Sequence, residues 1–166
     1  MGTTDVMGGR GEAIASARLA ASYRAHDLPY FLPHYLGEKC PLFDFFVELV
    51  DAGRRTPYFF VQVKATRKAF TKTHDPPRLL VGLSAEDVRG MVAYPAPTYV
   101  IEVQEREERA FLISIHGGMR DAISSITTAH ELTPGTLRRL WVEVRDFWRT
   151  RQMSRTTSLF PNAVVS

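Results

Sequence analysis

A single cysteine, Cys40, is the first scarcity in this 166-residue chain. It has no partner for an internal disulfide and cannot seed a cysteine-rich zinc site. The five histidines, at positions 26, 34, 74, 116 and 130, are scattered, so only tertiary folding could gather an imidazole metal cluster. No apolar run approaches the roughly 18 residues of a membrane span. The N-terminal residues lack a basic-then-apolar secretory pattern, and Val6 stands where a myristoylation motif needs Ser or Thr. The expectation is a cytoplasmic protein with no membrane partner. Also missing are a GxxxxGK[ST] phosphate loop, a GxSxG nucleophile elbow and an HExxH zinc helix. Gly8-Gly9-Arg10-Gly11 has the glycines of a phosphate-binding turn but follows no strand, so it reads as a flexible leader to a helix.

What is present suits one globular domain over residues 1–166: 45% hydrophobic and 23% charged residues. At this size folding buries roughly two thirds of the unfolded surface, enough for a core without covalent staples. The net charge of +3 is uneven, because residues 134–166 hold six Arg against two acids. That basicity fits a solvated helix face or a phosphate-facing one.

Met1 to Gly9 reads as a mobile leader, and the Ala-rich run from Gly11 to Tyr23 as a first helix whose Ala13, Ala17, Ala20 and Ala21 lie against a sheet. Tyr30 to Leu36, broken by Pro33, suits an edge segment. Phe43–Val50 and Tyr58–Ala65 are aromatic and β-branched runs around a turn-like Asp51-Ala52-Gly53, hence a hairpin of two central strands. Arg67–Arg78 reads as a loop, Leu79–Leu83 as a short strand and Ser84–Ala93 as a capped helix. Thr98–Gln104 and Arg109–Ile115 form a second hairpin, and Met119–Ile126 a short helix. Thr133-Pro134 starts a long amphipathic helix to about Gln152, with Leu137, Leu140, Trp141, Val144 and Trp148 on one stripe. That stripe suits core packing, a homodimer or a partner protein.

Polar residues inside the first hairpin carry the chemistry. Asp44 shares a strand face with Phe46 and Glu48, while Gln62 and Lys64 share one with Phe60. Paired strands bring such faces together. A carboxylate and an amide oxygen beside a lysine suit a hard cation, Mg2+ or Mn2+, with Glu12 of the first helix as a further ligand. Lys64 would then orient water or neutralise developing charge. Each residue also has an ordinary structural role open to it. Asp44 can cap a strand or pair with Lys64, Gln62 can be a satisfied buried amide, and Glu12 suits a helix N-terminus. Glu48 is either an extra ligand or an exposed strand end.

Helical Glu12, strand Asp44 and then Gln62-Val63-Lys64 on the partner strand resemble the PD-(D/E)XK nuclease superfamily, in the Gln-x-Lys variant of its Mrr-like restriction branch. RGEAIA, FDFFVEL, FFVQVKAT and PAPTYVIEV, in that order, also look like an uncharacterised bacterial nuclease-like domain family. The resemblance spans roughly residues 10 to 116, leaving a helical extension at about 117–155 and a flexible tail at 156–166. It implies an α/β, restriction-endonuclease-like fold with a mixed central sheet flanked by helices. It further implies metal-dependent hydrolysis of phosphodiesters, DNA as partner, and a setting in bacterial defence or genome maintenance. Metal ligands would be Glu12, Asp44, Gln62 and Val63, with Lys64 as the catalytic lysine. Arg10, Arg67, Lys68 and Lys72 flank these positions and would meet phosphates. Gln62 departs from the usual acid, and a neutral amide binds Mg2+ more weakly. The alternative is therefore an inactive nuclease-like fold that binds nucleic acid or protein.

Overall fold

The computed structural model describes residues 3–23, 27–37, 40–53 and 56–151, with side chains of the first helix from residue 8 onward. In chain order the elements are α1 (Thr3–Leu19), β1 (Phe31–Tyr35), β2 (Phe45–Leu49), β3 (Tyr58–Thr66), β4 (Arg78–Leu83), α2 (Ala85–Val92), β5 (Thr98–Gln104), β6 (Arg109–Ile115), β7 (Ile123–Thr127) and α3 (Pro134–Thr150). Five strands make a mixed sheet in the order β1-β2-β3-β5-β6, and β4 pairs with β7 in a small second sheet. Among the described strands only β3 and β5 run parallel. The chain is thus mixed α/β, with three helices among the described residues and a long one near the C-terminus. None of these helices is long and apolar enough to cross a membrane.

The first hairpin forms as its residue types require. Phe46 faces Phe60 and Val47 faces Phe59 across the ladder, pairing aromatic and β-branched side chains. Asp51 (φ 56°) and Gly53 (φ 102°) reverse the chain through left-handed conformations that Asp tolerates and Gly adopts without steric cost. Each face of the central strands has its own core. Val61 and Val63 of β3 and Ile101 and Val103 of β5 pack with Ala15 and Leu19 of α1 and Leu137, Leu140 and Val144 of α3. On the opposite face Val100 and Phe111 pack with Val88 and Met91 of α2 and with Leu79, Val81 and Ile126 of the small sheet.

Helix α3 starts as its sequence suggests: Thr133 accepts the Thr136 N–H and Pro134 takes the first helical position. Its tryptophans are spent within the chain. The Trp141 indole donates to the Val50 carbonyl at 3.0 Å, and that of Trp148 to the Tyr58 carbonyl at 2.7 Å. The Tyr99 hydroxyl donates to Glu143 at 2.6 Å. Burial, with Glu143 beside it, pushes the Tyr99 hydroxyl pKa up, so this bond keeps its proton.

Three expectations need correction. Helix α1 begins at Thr3, so Gly8 and Gly9 are helical and do not form a mobile leader, and the helix stops at Leu19 short of Tyr23. Its buried side is Gly11, Ala15 and Leu19, whereas Ala13, Ala17 and Ala20 are exposed. An Ala-rich segment offers little polarity contrast from which to read the buried side. Within the expected helical extension, Ile123–Thr127 is strand β7, paired with β4. Arg78 fastens that pair by donating to the Ser125 hydroxyl at 2.8 Å and its carbonyl at 3.0 Å. The expected tail at 156–166 lies outside the described residues.

The approach of α1 to β3 sets a sharp requirement at Gly11, where an added Cβ would lie 2.5 Å from Ala65 Cβ. Alanine gains up to about 1 kcal/mol over glycine in a helix, but overpacking a tight contact costs about 1–3 kcal/mol. Gly11→Ala should therefore lower the urea midpoint. Gly9→Ala, which meets nothing within 4 Å, should raise it or leave it unchanged. Equal midpoints for the two variants would refute this packing of α1.

Candidate active site

Asp44 stands where the β2–β3 ladder ends. Its N–H donates to the Val61 carbonyl and its carbonyl accepts from Leu36 N–H, both at 2.9 Å, so its backbone is pinned between β1 and β3. One step along β3, the Val63 N–H donates to Asp44 Oδ2 at 2.6 Å. A side-chain carboxylate thus replaces the strand carbonyl that β2 no longer supplies, satisfying a buried donor. Burial raises the Asp44 pKa, while the Val63 N–H and the Lys64 ammonium pull it down.

Gln62 and Lys64 alternate with Val61 and Val63, which pack with α1, so they point to the face away from α1. The parallel register opposes Gln62 to Val100 and Lys64 to Glu102. Glu102 therefore joins this face from β5. It is 1% exposed and Gln62 is 7% exposed. Neither Gln62 Oε1 nor Glu102 Oε2 has a hydrogen-bond partner among the described residues. Burial pushes the Glu102 carboxyl up to about 8 despite the pull of Lys64. One lysine therefore acts electrostatically on two carboxyl groups, one just before β2 and one on β5.

No family model, curated protein or solved structure matches this chain. The reading of the site rests on its own geometry.

Gln62 and Lys64 thus share a sheet face, whereas Asp44, expected on the strand itself, lies just before β2 and reaches the edge of β3 through the Val63 N–H. Val63 turns its side chain into the opposite core, so only its backbone is available here, and its N–H is already given to Asp44. Glu12 is half-buried on α1, next to the Gly11 contact with Ala65. Among the described residues no three His, Cys, Asp or Glu side chains form a group able to hold a metal, so Glu12 does not complete a triad of acids with Asp44 and Glu102. Glu48 is bonded to His34 Nε2 at 2.6 Å, near the far end of β2 from Asp44.

The four expected nucleic-acid contacts divide. Arg10 and Arg67 line an open cleft of about 470 Å³ with Glu105 and Arg106, beside the ends of β3 and β5. Arg10 pairs with Glu108 at 2.9 Å and Arg67 with buried Glu105 at 3.0 Å, so both guanidiniums are held in place. Lys68 and Lys72 are exposed on the loop that follows β3. Sequence reasoning missed Arg106 and, more consequentially, Glu102. The signal for Glu102 was available: an acid inside the apolar run TYVIEVQ stands out as Asp44 does in FDFFVEL.

Oxygen is the only donor type here: the Asp44 carboxylate, the Gln62 amide and the Glu102 carboxylate. Two of the three residues carry an orphaned buried oxygen, which a hard divalent cation with some of its water retained would satisfy. The donor set fits Mg2+ or Mn2+ and lacks the sulfur and imidazole ligands of a zinc site.

Proposed function

We propose that this chain is a Mg2+- or Mn2+-dependent nuclease of restriction-endonuclease-like fold that hydrolyses phosphodiesters of DNA. The observation that carries the reading is Lys64 on a buried sheet face between orphaned Gln62 Oε1 and Glu102 Oε2, with Asp44 held at the adjoining strand end. Burial without a hydrogen-bond partner leaves both oxygens as open acceptors. The resemblance of Asp44 and Gln62-Val63-Lys64 to the nuclease motif points to DNA, and to bacterial defence or genome maintenance as the setting.

The bound cation would supply Lewis acidity toward a phosphoryl oxygen and a lowered pKa for a bound water. Asp44, Gln62 and Glu102 would hold it. Lys64 would place its positive charge where the phosphoryl oxygens gain negative charge, beside the buried Gln62 and Glu102. Arg67 and Arg106 at the neighbouring cleft, with Lys68 and Lys72 on the loop, would hold flanking phosphates and carry no base specificity. Incubating supercoiled and linear DNA with the protein tests the reading: cleavage is expected with Mn2+ or Mg2+ and none with a chelator. DNA binding without cleavage at any metal concentration would instead favour the non-cleaving module, for which the neutral Gln62 is the supporting residue.

A further inference from the structure

We infer that Glu102 supplies the carboxylate that Gln62 lacks, so that the acid pair of the metal site is Asp44, just before β2, and Glu102 of β5, on either side of β3. The inference rests on the nuclease reading and identifies which side chain makes its metal site workable.

The case begins with a buried polar residue that has a structural use. Gln104 lies two positions beyond Glu102 on the same strand face and is 2% exposed. Its amide donates to the Lys68 carbonyl at 2.9 Å, and its oxygen accepts from the N–H groups of Arg106 at 2.7 Å and Glu107 at 3.1 Å. Gln104 thus ties the loop after β3 to the β5–β6 turn. Glu102 does nothing comparable. Its neighbour on the same face toward the start of β5 is apolar Val100, and its cross-strand partner on β6 is apolar Phe111. A buried carboxyl group with one oxygen left unbonded is costly, and at the centre of an apolar strand a hydrophobic residue would be more stable. What the carboxylate does have is position. It opposes Lys64, two along from Gln62 with its orphaned oxygen, and the Asp44 carboxylate is bonded to the N–H of Val63 between those two positions.

Charge leads to the same place. With Gln62 neutral, Asp44 alone gives a hard cation one negative ligand, and affinity for such ions rises with ligand charge. Glu102 brings the count to two. The substitution at position 62 is then a relocation of the carboxylate by one strand, and the site keeps its charge.

Titrating the full chain with Mn2+ by calorimetry, with bound and free Mn2+ checked by electron paramagnetic resonance, reads this without reference to cleavage. Wild type should bind one Mn2+. Glu102→Gln, an isosteric change to a group that cannot ionise, should fold and bind at least tenfold more weakly. The double variant Gln62→Glu/Glu102→Gln, which returns the acid to β3, should recover most of the affinity. If wild type binds Mn2+ and Glu102→Gln binds it equally, the inference is overturned while the metal reading stands on Asp44. Loss in Glu102→Gln without recovery in the double variant, both having cooperative melting transitions, would make Glu102 a structural residue and overturn it as well. Wild type that binds no Mn2+ overturns the inference together with the reading beneath it. Should Glu102→Gln not fold, Glu102→Asp takes its place: the charge is kept but withdrawn by one methylene, and several-fold weaker binding is expected, with unchanged binding overturning the inference.

Discussion

Lys64→Ala is expected to lower metal-dependent DNA cleavage by about 10²–10³-fold, the usual effect of removing one preorganised charge from a transition state. Mn2+ binding should not weaken, because removing a cation between Asp44 and Glu102 leaves their negative charge less compensated. DNA affinity should change little, since on the proposed reading exposed bases such as Lys68, Lys72 and Arg106 would carry it, each through a salt-sensitive phosphate contact. The three readouts therefore separate. Single-turnover cleavage, filter binding at two salt concentrations and Mn2+ titration of the same preparation give all of them. A variant that cleaves like wild type would show that Lys64 is not the catalytic lysine and that the activity belongs to another group or another protein.

In the metal-free protein, Glu102 should make folding stability fall with rising pH. Its carboxyl titrates near its ordinary value of 4.5 in the unfolded chain and at about 8 in the folded one. Between those values the folded state holds a proton that the unfolded state has released, so each unit of pH removes stability. The contribution is fully present below the unfolded value and lost once pH has risen through the folded one. The total is on the order of a few kcal/mol, a large share of the stability of a domain this size. Glu102→Gln cannot ionise, so its stability should exceed that of wild type at alkaline pH and match it more nearly in acid. Urea unfolding at about pH 5, 7 and 9 with a chelator present measures the difference. Parallel curves for the two proteins would mean that Glu102 is hydrated or paired when folded. Asp44, raised in the same direction, contributes equally to both and cancels.

Local pattern explains where the sequence was informative. The strands of both hairpins alternate or repeat β-branched and aromatic residues around turn-forming segments, and their observed pairing follows. Thr133-Pro134 and the Leu137–Val144 stripe mark α3 in the same local way. The first-hairpin part of the site, Asp44 with Gln62 and Lys64, was legible because antiparallel neighbours in sequence are neighbours in space. Glu102 stands out as an acid in an apolar run, but its place beside Lys64 was not legible, because it enters through the parallel β3–β5 pairing, reached only after β4 and α2. Likewise Ile123 and Ile126 have the spacing of a helical face, but β7 pairs with a β4 some 45 residues earlier, and no local period encodes such a pairing. The buried side of α1 was hidden for a third reason: its contact depends on the absence of a side chain at Gly11.

The two tryptophan hydrogen bonds of α3 bear on how the protein comes into being. Their acceptors, Val50 and Tyr58, bracket the turn of the hairpin that carries Asp44, Gln62 and Lys64, and the donors lie 91 and 90 positions later. A ribosome makes the hairpin first and the tryptophans much later, at about 5–20 residues per second. For several seconds the nascent hairpin lacks the helix that backs it, and its site is without β5 for much of that time. The order of synthesis thus delays the assembly of the proposed site until nearly the whole described chain has been made.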